Sequence, residues 1–159
     1  QETVGVRQLS QNGEEMANNE NAFQIALVKE AQRLGGNAMR VRHHSMGGIP
    51  DLYIKLNNGQ SCWVECKFER YKPKKSQKPT PLQLSWLRKE RRAKGHAGWA
   101  LCVKVESGLW VIYVGVDEEF CQLDNYLCER KSGEPWPVEQ IVFAITEQSI
   151  MRGVNDKKK

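Results

Sequence analysis

The stretch GIPDLYIKLNNGQSCWVECK, residues 48–67, decides the fold. Leu52 to Leu56 and Cys62 to Phe68 alternate in the manner of strands, and Asn57-Asn58-Gly59 between them is a hairpin signal. Strand side chains point alternately to opposite faces, so Glu65 and Lys67 share one face while Cys62, Val64 and Cys66 take the other and read as core. The register decides whether Asp51 joins the charged face. A two-residue turn at Asn58-Gly59 sets Asp51 opposite Cys66, on the wrong face. A three-residue loop with Gly59 left-handed sets it opposite Glu65. Both loops accept these residues. Only the second brings the carboxylates together, and it is the register expected here; a bulge near Pro50 would rescue the other.

Carboxylates facing each other across a hairpin repel, so such a pair needs a cation or a shared proton. Carboxylates with water and substrate oxygens suit a hard ion such as Mg²⁺. That ion would polarise a phosphoryl oxygen and acidify a water, with Lys67 placed to orient the water or offset phosphate charge. The plainer reading of Asp51, Glu65 and Lys67 is an exposed salt-bridge cluster on a solvated strand face.

Working outward, Asn18 or Asn19 caps a helix running to about Leu34, with Phe23, Leu27, Ala31 and Leu34 as its apolar face and Gly35-Gly36 as its stop. Ala38 to Arg42 is a short strand. After the hairpin comes a basic loop, residues 69–79. Thr80 then caps a second helix, with Pro81 at its first position, Gln83 completing a capping box, and Leu82, Trp86 and Leu87 as its buried face; Gly95 closes it. Trp99 to Val105 and Leu109 to Val114 are strands around Glu106-Ser107-Gly108. Asp117 caps a third helix bearing Phe120, Leu123, Tyr126 and Leu127. Pro135 to Pro137 breaks the chain, and Val138 to Ile145 reads as a last strand. The expected architecture is a single α/β domain with a central mixed sheet flanked by helices.

The charge is unevenly placed. Lys67 to Lys94 holds eleven Lys and Arg against Glu69 and Glu90, a local +9 in a chain of net +5. The rest is slightly acidic, a distribution that suits a polyanion partner, although a solvated loop and helix face would account for it equally. Lys72, Lys74, Lys75 and Lys78 are the expected phosphate contacts, with Arg88, Arg91 and Arg92 as a second path.

A chain of 159 residues suits one domain with its own core. No apolar run reaches membrane-span length, and residues 1–19 carry neither a basic start nor an apolar stretch, so neither membrane insertion nor a signal peptide is expected. Five cysteines (62, 66, 102, 121, 128) cannot all pair, and none forms a CxxC. The pattern speaks against a disulfide scaffold or zinc ribbon and for a reducing, intracellular compartment.

With these residues in view, the chain resembles the PD-(D/E)XK nuclease superfamily, and more narrowly the VRR-Nuc family. The resemblance rests on ENAFQIALVKEAQRLGG, GGIPDLYI, WVECKF and TPLQLSWLRKERRAKGHAG in that order, with Glu65 fourteen residues after Asp51. It covers about residues 18–105. It implies a restriction-endonuclease-like αβββαβ core over 18–105; residues 106–154, without a counterpart in the family pattern, read as a C-terminal extension of the same domain, the polar, irregular residues 1–17 as a flexible arm, and 155–159 as a basic tail. It also implies roles. Asp51, Glu65 and the Cys66 carbonyl would bind Mg²⁺, with Mn²⁺ able to substitute. Lys67 would assist the attacking water. Glu20 would reach the metal directly or through water, although a first-turn acid on a helix dipole also accounts for it. Gln83 would position Lys67, a water or phosphate, though the capping box explains it as well. His43, His44 and Ser45, just before the Gly-Gly loop, could touch substrate, and ordinary loop residues would account for them equally. Trp86 and Trp99 read as core. The implied activity is metal-dependent cleavage of duplex or branched DNA, of the kind carried out by small Holliday-junction-resolvase-like members that work as homodimers, cytoplasmic or nucleoid-associated and in some cases virus-encoded. The alternative is a non-catalytic nucleic-acid-binding module on the same fold.

Overall fold

The computed structural model describes residues 19–41, 47–71, 78–117 and 126–156. The arm 1–17, His43, His44, Ser45, Lys72, Lys74, Lys75 and the final three lysines lie outside them. Helix α1 (Glu20–Arg33) begins where Asn19 accepts a hydrogen bond from the Ala22 amide, and Gly35 at φ +81° ends it. Strands β1 (Asn37–Arg40), β2 (Leu52–Lys55) and β3 (Ser61–Arg70) follow, then α2 (Pro81–Arg92), β4 (Ala97–Glu106), β5 (Leu109–Gly115), β6 (Tyr126–Lys131) and α3 (Val138–Asp156).

All six strands form one sheet in chain order. Every neighbouring pair is antiparallel except β3 and β4, which are parallel and joined through α2. The αβββαβ order is present, and β5 and β6 continue the same sheet. One face packs under α1 and α3: Phe23, Leu27 and Ala31 of α1 and Ile141, Val142 and Ile145 of α3 close over Leu52, Ile54, Val64, Cys66 and Ile112. The other face carries α2 and a smaller cluster of Trp99, Leu101 and Val103. Cys62, Cys66 and Cys102 are buried free thiols, as their apolar surroundings suggested. Burial pushes all three up in pKa, which makes them packing residues rather than nucleophiles. Among the described residues no helix is long and apolar enough to cross a membrane.

The hairpin adopts the three-residue loop. Leu52 faces Val64, Tyr53 faces Trp63 and Ile54 faces Cys62. Gly59 is left-handed at φ +89° and donates to the Leu56 carbonyl. The second helix begins as read: Thr80 accepts from Gln83, Gln83 returns a bond to the Thr80 amide, and Pro81 sits at the start.

Several expectations are corrected. Val138 to Ile145 is helical, not a strand. Val138, Ile141, Val142, Ile145 and Ser149 are buried at helical spacing, while Phe143 points out at 52% exposure. Tyr126 and Leu127 belong to β6, not to a third helix; residues 118–125 are outside the described set. Helix α3 continues through Asn155 and Asp156, the first two residues of the expected basic tail. Strand β3 runs on to Arg70, so the basic connection starts at Tyr71 and not at residue 69. Leu82 is 58% exposed, and Leu84 and Leu87 fill the buried face of α2 instead. The left-handed residue after α2 is Lys94, one position before Gly95.

Candidate active site

The register places Asp51 opposite Glu65, and Glu65 in turn beside Trp99 of the parallel strand. Val41 donates to the Asp51 carbonyl at 2.8 Å, which fixes the start of β2. The Asp51 carboxylate accepts from the Cys66 amide at 2.8 Å, so the acid is clamped across the hairpin. Behind the row, Trp99 is fully buried and donates its indole N–H to the Asp117 carbonyl.

Glu65 is the unusual residue. It is 2% exposed. Its Oε1 accepts from Gln83 Nε2 at 2.8 Å and lies 3.6 Å from Lys67 Nζ. Its Oε2 is buried, and its one polar neighbour able to share a proton with it is the Asp51 carboxylate. Burial first, and then the negative Asp51 beside it, pushes the Glu65 carboxyl up to about 9. A buried carboxylate with one oxygen beside a second carboxylate is a site short of positive charge. It meets the requirement for a cation or a shared proton set by the facing pair.

Gln83 resolves a competition that the sequence leaves open. Its Oε1 accepts from the Thr80 amide at 2.8 Å while its Nε2 holds Glu65. One amide side chain therefore completes the capping box and fixes the buried acid, using its two ends separately. Glu20, at the start of α1, stands within electrostatic reach of Lys67 and Asp51, and burial raises its carboxyl above the ordinary range. Among the described residues no three His, Cys, Asp or Glu side chains are grouped as a ready metal set. The candidate set is thus Asp51 and Glu65 with a backbone carbonyl, and Glu20 stands behind it.

The predicted phosphate contacts divide. Lys78 and Arg92 are exposed. Arg91 is 6% exposed, lies 3.5 Å from Asp117 and donates to the Ala97 carbonyl, so it ties α2 to the sheet instead of facing solvent. Arg88 is half-buried. Trp99 is core, whereas Trp86 is only half-buried. It meets Trp63 edge-on at 5.2 Å, and Trp63 meets Tyr53 at 4.9 Å. This aromatic row walls the carboxylates on one side. Sequence reasoning passed over Tyr53 and Trp63, although their spacing of two from Asp51 and Glu65 puts them on the same face.

No family model matches the chain. Among solved structures, Archaeoglobus fulgidus Hjc, a Holliday junction resolvase, superposes with a TM-score of 0.47 at 17% identity, over 80% of this chain and 97% of that one. In sequence, a protein of Acyrthosiphon pisum secondary endosymbiont phage 1 named "Putative nuclease p44" is 35% identical over 65 residues, 41% of this chain; the match spans 63% of that relative's length.

Proposed function

We propose that this chain is a metal-dependent endonuclease that hydrolyses DNA phosphodiester bonds. The observation that carries the reading is the buried Glu65, aligned with Asp51, its Oε2 beside that carboxylate, and flanked by Lys67 on the same strand face. The phage relative's name points the same way.

Asp51, Glu65 and the Cys66 carbonyl would hold Mg²⁺, or Mn²⁺ in its place, and Glu20 would contribute through a water. The ion would withdraw charge from the phosphoryl oxygens. The remaining work falls to the chain. Gln83 holds Oε1 of Glu65, so that Oε2 stays turned to the site. Lys67 orients the attacking water and offsets charge that builds on the phosphate. The water oxygen forms the new P–O bond, the bond to the sugar oxygen breaks, and that oxygen takes up a proton. Trp63 and Trp86 keep bulk water off the Asp51–Glu65 row.

The finer reading is structure-specific cleavage of branched DNA such as a Holliday junction, and it follows the VRR-Nuc resemblance. A two-fold junction calls for two symmetry-related sites, hence a homodimer. The free cysteines fit an intracellular enzyme, and the phage relative fits a virus-encoded one.

The test is cleavage of labelled four-way junction, flap, single-stranded and linear duplex DNA with Mg²⁺, Mn²⁺ or EDTA. Metal-dependent cleavage by the wild type is expected. Lys67→Ala should lower it by about 10²–10⁴-fold with binding retained, and Asp51→Asn should abolish it. A wild type that binds but never cleaves, with either metal, would reduce the chain to a nucleic-acid-binding module.

A further inference from the structure

The far end of the sheet carries a second charged row that the carboxylate site does not use. The registers align Arg70 with Lys104, Lys104 with Trp110, and Trp110 with Arg130, which makes one line across β3, β4, β5 and β6. Three of its four members are cations and none is acidic. At a strand spacing of about 4.8 Å the line is roughly 14 Å long.

Two of its cations, Lys104 and Arg130, lie over rings. Arg130 lies 4.6 Å from the centroid of Trp110 and 4.4 Å from that of Trp136. Lys104 lies 5.7 Å from Trp110. A ring face holds a cation in place, and the Arg130 Nε also donates to the Glu134 carbonyl at 3.0 Å. At the Arg70–Lys104 end the line opens into a cavity of about 240 Å³ lined by Arg70, Tyr71, Lys104, Glu106 and Ser107.

Tyr71 adds an independent sign. It is 75% exposed, and its backbone is left-handed at φ +73°. Its amide is tied to the Lys104 carbonyl at 2.7 Å, which holds the turn against β4. A bulky residue in that region is strained where glycine would not be. Among the described residues the exposed ring makes little packing contribution that would offset the strain.

We propose that the Arg70–Lys104–Arg130 row, with Tyr71 at its mouth, is a second phosphate-binding surface for the nucleic acid. It rests on the nuclease reading and adds to it a grip on the backbone to one side of the cut. Arg70 is five residues beyond Glu65 on β3 and on the opposite face, roughly 17 Å away at about 3.3 Å per residue. Nucleic acid leaving the carboxylates past the strand end reaches it after roughly five nucleotides of duplex. The row reads backbone charge and not base sequence.

The test is binding of a linear duplex of about 30 base pairs in EDTA over a range of salt. Neutralising two phosphate contacts in Arg70→Gln/Lys104→Gln should make the log–log salt slope shallower by about 2, and Arg70→Gln alone by about 1. The single variant alters an exposed strand end, so it serves if the double variant misfolds. Tyr71→Gly should bind several-fold more weakly while melting no lower than wild type, because glycine accepts the turn. Unchanged slope and affinity in variants that melt like the wild type would overturn the proposal. Shallower slopes in a protein that never cleaves would support the surface and sink the nuclease reading alone; a wild type that binds no duplex would sink both.

Discussion

The two faces of the sheet are built from the same strands by different rules. On the face under α1 and α3, Cys62, Val64 and Cys66 of β3 are at most 1% exposed and pack against an apolar core. On the other face, the intervening Trp63, Glu65 and Lys67 meet a single helix, and its first turn presents Gln83 instead of a hydrocarbon. One face maximises burial. The other gives up burial to hold a carboxylate that water would otherwise solvate. The difference teaches that β3 separates stability from chemistry residue by residue, so substitutions one position apart should report on different properties.

Three measurements would break or sharpen that division. The largest effect belongs to the packed face: Phe23→Ala, at a fully buried position, should cost about 3–5 kcal/mol. Denaturant unfolding would read it, and cleavage per folded molecule should be unchanged; a specific loss of activity would mean the faces are coupled. A smaller effect belongs to the charged face. The folded Glu65 carboxyl sits near 9, above its unfolded value of 4.5, so the folded state binds the proton more tightly. Metal-free stability should therefore be full below pH 4.5 and fall as pH rises toward 9, by at most about 1.4 kcal/mol per pH unit. Thermal melts in EDTA at pH 6 and pH 8 would measure it, and Glu65→Gln should flatten the dependence. A flat wild-type profile would show that water already satisfies the acid. The smallest effect lies where the faces meet. Thr80→Ala removes one half of the capping box and should cost about 1 kcal/mol. Only the Gln83 backbone N–H loses its acceptor, while the Gln83 side chain keeps the Thr80 amide and Glu65, so cleavage per folded molecule should be unchanged; slowed cleavage would show that the cap positions the site.

How far the sequence could be read follows the same physics. The carboxylate face was legible because turn chemistry is local: Asn57-Asn58-Gly59 admits few loops, and one of them sets Asp51 opposite Glu65. The cap at Thr80 was legible for the same reason, since three adjacent residues carry it. The C-terminal third was not. In Val138 to Ile145 the apolar residues satisfy both a strand and a helix period, and only Phe143, left outside by the packing, separates them. Tyr126 and Leu127 fit a helical spacing with Phe120 and Leu123, yet they complete a sheet whose neighbour, β5, is set by tertiary pairing. Arg91 looked like one more cation in a basic run until its partner Asp117, 26 positions on, came into view. Local signals can be read from neighbours in sequence, whereas long-range partners cannot.

The single parallel pairing has a consequence for how the molecule assembles. The β2–β3 and β4–β5 hairpins are closed by short loops, and such hairpins form in about 1–10 μs. Joining β3 to β4 brings Trp63 to Ala97 across 34 positions, with a helix laid down between them. Loop-closure entropy makes that the slow step of folding. Asp51 and Glu65 belong to the early part, whereas Gln83 and the Trp99 wall arrive with the late one. A half-folded chain would therefore hold its two acids in register without the groups that fix them. The ability to cut would appear only as folding finishes, and stopped-flow folding followed by tryptophan fluorescence alongside the recovery of cleavage should show cleavage rising with the last phase.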